Sequence, residues 1–236
     1  MSEPETDATF TRGGLALGFR RGLPLGLGSI AFGLLFGVLS KQAGLSLGEA
    51  CLMSAVVFAG SSQLVALGMW GTPIPVLPIV ATTLLINLRH VLMGLTLRRR
   101  YTRLPPATAY GSYFFLTDES WALASVEFER GGHDAAFLPG VGIVLFVCWV
   151  GATAAGRLTG AAIRDPAAWG LDFAFVAVFL ALLTSLATAR RRSVLLPWLL
   201  AAGAALAADR LLPGNWYVLI GTLVGSVPAI VSRPHE

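Results

Sequence analysis

The sequence predicts an all-α, polytopic helical membrane protein, and three observations carry that prediction. Hydrophobic residues make up 55% of the chain and charged residues 13%, with a mean hydropathy of +0.72, against the ~25% charge usual in globular domains. The apolar residues fall into runs at roughly 22–40, 50–70, 74–97, 107–126, 138–160, 171–189, 194–212 and 215–231, each near the ~20 residues that a helix needs to cross a ~30 Å hydrocarbon core. The alternating strands of ~10 residues that mark a membrane barrel do not occur. This gives about seven to eight membrane segments, some of them discontinuous or re-entrant, with an inverted repeat as one arrangement open to them. The expected organisation is a polar N-terminal arm at 1–21, a single transmembrane domain at 22–231 and a polar tail at 232–236.

The arm carries Glu3, Glu5, Asp7, Arg12, Arg20 and Arg21. No small-x-small cleavage site follows the first run, so it reads as a retained span and not as a signal peptide. Gly22, Gly26, Ser29, Gly33 and Gly37 within it give a small-residue stripe suited to close helix packing, as do Gly151 with Ala155, Gly156 with Gly160 and Gly221 with Gly225. Cys51 and Cys148 lie inside apolar runs and read as core thiols.

The second run starts with Ser46 and Glu49 at capping-box spacing and holds Gly60, Ser61, Ser62 and Gln63 at its centre. Small and hydroxyl residues there can serve helix packing alone, but Gln63 asks for a polar partner. A helix interrupted at these residues would leave amide N–H groups unpaired at membrane depth, tolerable only facing a cavity or a ligand.

The third run contains Asn87, Arg89 and His90, with His90 about 10 Å from the arginine cluster at 98–100 by helical rise. Thr83, Asn87, His90 and Gly94 share one helix face, and Arg89 projects about 100° from His90. Arg89 could snorkel toward the interface; the polar stripe is harder to dismiss, because ionisable residues in a membrane are costly and need partners. In the fourth run Thr117 can cap a helix that puts Asp118 and Glu119 in its first turn, where the macrodipole favours negative charge. An ion pair of Arg89 with Asp118 or Glu119 could simply lock two helices; alternatively a half-helix terminus, two carboxylates, an arginine and a histidine meet near mid-membrane, as transporter sites are built. Asp172 reads as an interfacial acid at the start of the sixth run, and Trp216 and Tyr217 as belt anchors of the last.

Sixteen arginines and one lysine set the basic balance, and they cluster at segment ends. If all eight runs cross, the clusters at Arg20–Arg21, Arg98–Arg103 and Arg190–Arg192 alternate sides and give no orientation. If one run in each three dips in and returns, the clusters share the cytoplasmic side and the acidic loop from Glu127 to Asp134 falls outside. An inverted repeat with arginines on both faces is the other option.

Taken in order, "FAGSSQ" (58–63), "NLRHVLMG" (87–94) and "TDES" (117–120) resemble the AzlC family, the large subunit of two-component branched-chain amino acid exporters, over residues 20 to 230. Leu64 and Met93 stand where aromatics are common in such proteins. The resemblance implies a multi-pass protein of the bacterial inner membrane that exports Val, Leu, Ile and often Met on the proton gradient, with a small AzlD-like membrane subunit as partner. On that reading the substrate groups are Gly60, Ser61, Ser62, Gln63, Asn87 and Asp118, and the proton-coupling groups are Glu119, His90 and Arg89. No cofactor or metal is expected.

Competing classes leave specific traces. The chain has no H-E-x-x-H, and His90, His133 and His235 are far apart, so an intramembrane enzyme is disfavoured. It has no G-x-x-x-x-G-K-[ST] loop, so an ATP-driven permease would borrow its ATPase. A channel or assembly subunit whose partner holds the site is the remaining alternative. No basic patch interleaved with aromatics supports nucleic-acid binding.

Overall fold

Long apolar stretches separated by Gly, Pro and charged clusters become helices because lipid offers the backbone no other hydrogen-bond partner. A computed structural model describes residues 9–160, 191–212, 217, 220, 221 and 223–225. Its helices are α1 (Arg12–Gln42), α2 (Leu47–Val57), α3 (Gly60–Gly68), α4 (Val76–Tyr101), α5 (Pro106–Phe114), α6 (Asp118–Glu129), α7 (Phe137–Thr159) and α8 (Arg191–Leu211). α1, α4 and α7 are long and apolar enough to cross a membrane, and among the described residues no strand forms beyond a lone Thr9–Asp134 bridge. The expectations at residues 1–8, at 171–189 with Asp172, at Trp216 and at the 232–236 tail lie outside the described residues.

α1 starts at Arg12, inside the segment read as a polar arm, because the Thr11 hydroxyl accepts the Gly14 N–H and caps the helix. Thr11 is itself tied to Asp134, and Thr9 N–H reaches the His133 carbonyl at 3.1 Å. These anchors hold the start of the helix against the loop before α7.

The chain divides into two compact units, residues 1–63 with 87–163, and residues 64–86 with 164–236. The first is organised around α1 and α7, which lie side by side in the same direction: Gly18 faces Phe137, Gly22 Val141, Gly26 Val144, Gly33 Ala152 and Gly37 Thr153. Gly140 and Gly156 return the contact against Leu15 and Leu34. Missing side chains at these positions let the two backbones approach closely, the packing that serves where lipid removes the hydrophobic drive. Among the described residues nothing lies within 4 Å of a Cβ on Gly151, so it takes no part in such a face there. In the second unit, a Cβ on Gly221 would stand 2.9 Å from that of Ala205, and one on Gly225 2.7 Å from that of Ala201, which is small-residue packing on α8.

Two of the apolar runs are bent hairpins. The run at 50–70 is split: α2 begins with the expected Ser46–Glu49 capping box and ends at Phe58, whose φ of 42° is left-handed. Gln63 Nε2 then reaches back to Ser54 Oγ at 3.1 Å, where a straight helix would separate nine residues by ~13.5 Å. The run at 107–126 is split likewise, into α5 and α6, by an extended Thr117 that caps α6 with a box to Ser120. Its second limb runs back beside α4: Trp121 Nε1 donates to Thr96 Oγ1 at 2.8 Å, and Arg100 Nη2 to the Phe128 carbonyl at 3.4 Å.

The loop from Glu127 to Asp134 therefore sits at the same end of this unit as the arginines, which corrects the expectation that it lies on the opposite side. Arg21 pairs with Glu127, Arg100 Nη1 is 3.1 Å from His133 Nδ1, and Tyr101 Oη donates to the Ala135 carbonyl at 2.7 Å. The physical reason is that the fourth run turns round at residues 115–117 and never crosses.

Candidate functional site

The break in the second run falls at Phe58 and Ala59 and not within Gly60–Gln63, which form the first turn of α3. The Gln63 N–H makes the first helical bond, to the Ala59 carbonyl at 3.0 Å, so the Gly60, Ser61 and Ser62 amides precede the helical ladder, as at any helix start. A left-handed Phe costs about 1–3 kcal/mol and persists only when its surroundings hold it. Here the Phe58 ring packs on Phe146 (5.2 Å between centroids) and Phe114 (6.2 Å). One residue from each hairpin and one from α7 thus meet at the turn.

Gly60 is fixed by the opposite requirement. A Cβ there would come within 2.6 Å of the Trp149 ring. The same indole donates to Gln63 Oε1 at 3.2 Å, Gln63 Nε2 donates to Ser54, and Ser54 is 2.9 Å from the Thr153 hydroxyl. Gln63, Ser54 and Thr153 are fully buried, so a closed polar chain holds α3 to α2 and α7. Ser62 is also buried, with its hydroxyl returned to the Ala59 carbonyl at 2.9 Å. Ser62 and Gln63 therefore face the packed interior of the unit, while Ser61 faces α4.

Arg89 is the meeting point of the two hairpins. Its Nη2 donates to Ser61 Oγ at 2.6 Å, in the first turn of α3, and its Nη1 lies 3.0 Å from Asp118 Oδ2, in the first turn of α6. Of the two carboxylates open to it on sequence grounds, the arginine takes Asp118. Half of the Asp118 side chain and over a third of that of Arg89 remain exposed (51% and 37%), so the pair is reachable. The buried Nε of Arg89 and the buried Oδ1 of Asn87 have no hydrogen-bond partner among the described residues, a donor and an acceptor still unused beside the pair. Glu119 is exposed next to Asp118, without a hydrogen bond or ion pair among the described residues. His90 is partly buried, and its Nδ1 lies 3.2 Å from the Asn87 carbonyl one turn back.

The structure thus brings Ser61, Arg89 and Asp118 into contact, sets Asn87, His90 and Glu119 around them, and gives Ser62 and Gln63 to the scaffold. Sequence reasoning missed Trp149, Ser54 and Thr153. Trp149 had a signal: an indole in the middle of an apolar run needs an acceptor for its N–H. Two half-helix N-termini that flank a guanidinium form a site suited to a small ligand with a negative group, and the Asp118 carboxylate suits a positive one.

Comparison with known proteins gives a matching context. A family model described as AzlC protein matches residues 24–163. An uncharacterized membrane protein of Archaeoglobus fulgidus is 34% identical over 70% of this chain and 74% of its own. The inner membrane protein YgaZ of Escherichia coli is 28% identical over 91% and 89%. The branched-chain amino acid transport protein AzlC of Bacillus subtilis is 25% identical over 67% and 62%. No solved structure matches the chain.

Proposed function

This chain belongs to the AzlC family, and from that premise we propose that it is the large subunit of a secondary transporter that exports branched-chain amino acids, Val, Leu and Ile, with Met as a further substrate. The family match and the named transport relative in Bacillus subtilis support a membrane transport role. Export runs on the proton gradient across the bacterial inner membrane, with a small AzlD-like membrane subunit as partner. It is a transporter and not an enzyme.

One observation supports the site most directly: Arg89 holds Ser61 at the start of α3 and Asp118 at the start of α6. In the proposed cycle the carboxylate of the amino acid approaches Arg89 and the Gly60, Ser61 and Ser62 amides, because a helix N-terminus presents N–H donors and a positive dipole end. Its ammonium group approaches Asp118, and Asn87 Oδ1 offers a second acceptor. The buried Ser62–Gln63 segment keeps the α3 amides in place. Glu119, without a hydrogen bond or ion pair among the described residues, carries the proton, and His90 is the accessory group. Export against a gradient needs an energy source, the chain has no nucleotide loop, and a group whose proton affinity differs between two access states can supply the coupling.

The test is efflux of valine, isoleucine and methionine from proteoliposomes that hold the chain and its small partner, with an imposed proton gradient. Asp118→Asn is expected to abolish substrate movement, and Glu119→Gln to leave exchange while removing the response to the gradient. Undiminished, gradient-driven efflux by both well-folded variants would make the carboxylates structural.

A further inference from the structure

The hairpins enter the first unit from opposite ends. α2 begins beside the C-terminal end of α1 and of α7, where Arg157 Nε donates to the Leu45 carbonyl at 2.6 Å, and its turn at Phe58 reaches Phe146 near the middle of α7. α5 follows Arg103, its turn packs Phe115 on Gly142, and α6 returns to Glu127 beside Arg21. One hairpin thus descends from the far end and the other rises from the arginine end, and their turns meet at Phe58 and Phe114, 6.2 Å between centroids. The arginine end carries Arg20, Arg21, Arg98, Arg99 and Arg100 against Glu127, Glu129 and Asp134, whereas the far end of this unit carries Lys41, Arg157 and Glu49. An excess of arginine in short loops marks the cytoplasmic face.

From this geometry we infer that the hairpins are the two gates of one pathway, α5–α6 toward the cytoplasm and α2–α3 toward the outside, and that Arg89 is the latch that holds both shut. Arg89 is suited to this because its two terminal nitrogens each hold one hairpin, through Ser61 and through Asp118. A ligand that takes over either bond frees the corresponding hairpin while the other stays held, which is the requirement for alternating access. Neither hairpin is otherwise loose. The Ser54–Gln63–Trp149 chain ties the last turn of α2 and the first turn of α3 to α7, and the Thr96–Trp121 bond ties the start of α6 to α4, so motion concentrates in the tips between these ties. The left-handed Phe58 at one turn is where backbone strain would be stored.

This inference rests on the transport reading for its meaning but not for its test. In a chain with Cys51 and Cys148 replaced by Ala, single cysteines are placed by Ser61→Cys or Glu119→Cys and exposed to a membrane-impermeant maleimide in right-side-out and inverted vesicles, with the small partner present. Cys at 119 is expected to react from the cytoplasmic side and Cys at 61 from the outside. Arg89→Gln is expected to raise the labelling rate at 119 by at least about twofold, the effect of losing a half-exposed pair. Should Arg89→Gln fail to accumulate, Asp118→Asn breaks only the arm that holds α5–α6 and is expected to raise labelling at 119 likewise. Labelling of both positions from one side, or a rate at 119 unmoved by both Arg89→Gln and Asp118→Asn, overturns the proposal. Valine efflux measured on the chain that carries only the Cys51→Ala and Cys148→Ala replacements separates the two readings: opposed labelling of the single-cysteine chains without amino acid movement by that parent keeps the gates and removes the substrate assignment.

Discussion

The Arg89 guanidinium stands 3.0 Å from the Asp118 carboxylate, across the space between a spanning helix and the first turn of a helix that does not span. The two residues are 29 positions apart, and the contact exists because the fourth apolar run turns round before Asp118. Removing one partner leaves the other half-exposed charge without its counter-ion, while removing both leaves none.

Arg89→Leu and Asp118→Leu are therefore each expected to lower the melting temperature of the detergent-purified protein, and the double variant to lose less than their sum. A coupling of at least about 0.5 kcal/mol is the expectation. Strict additivity would show that the pair does not hold the helices.

The Gln63 amide is wholly buried and bonded at both ends, to Trp149 Nε1 and Ser54 Oγ. Gln63→Leu keeps the volume but strands the indole N–H, and costs of about 1–3 kcal/mol follow for a buried polar group left unmet. Trp149→Phe together with Gln63→Leu should recover part of that loss. Thermal unfolding of the two variants is the check, and a neutral Gln63→Leu would show that the network contributes nothing.

The α1–α7 contact separates two glycines that look alike in sequence. A Cβ at Gly18 would run into the Phe137 carbonyl, whereas a Cβ at Gly28 meets nothing within 4 Å among the described residues. Gly18→Ala is expected to destabilise by about 1–3 kcal/mol through overpacking. Gly28→Ala should be neutral or slightly stabilising, since Ala is the better helix former by about 1 kcal/mol. Equal effects at the two positions would contradict the glycine-to-backbone packing.

Cysteines at Thr102 and Glu129 should label from the same side of the membrane, and that side should be the cytoplasm. Thr102 follows the α4 arginines, and Glu129 ends α6 at the arginine end. Access from outside the cell to both would invert the orientation, and access from different sides would mean that the fourth run crosses after all.

Local chemistry made several features legible in the sequence. Ser46 with Glu49 and Thr117 before two acids are cap signals that act within one turn, so the starts of α2 and α6 followed from a few residues. The small-residue spacing at 22, 26, 29, 33 and 37 announced a tight contact, although not its partner α7 nor its extension to Gly14 and Gly18. The costliest residues in lipid, Arg89, His90, Asp118 and Glu119, stood out because few apolar neighbours can satisfy them, and the same arithmetic asked for an Arg89 partner without choosing between two adjacent acids. Tertiary structure decided that choice, along with the break at Phe58, the return of the 127–134 loop to the arginine end and the roles of Trp149, Ser54 and Thr153. These depend on contacts between residues tens of positions apart. A 20-residue apolar run satisfies its own backbone equally well as a straight span or as two short helices with a capped turn, so the energy that selects between them comes from what packs against the turn: Trp149 on Gly60, Phe146 on Phe58 and Arg89 between Ser61 and Asp118.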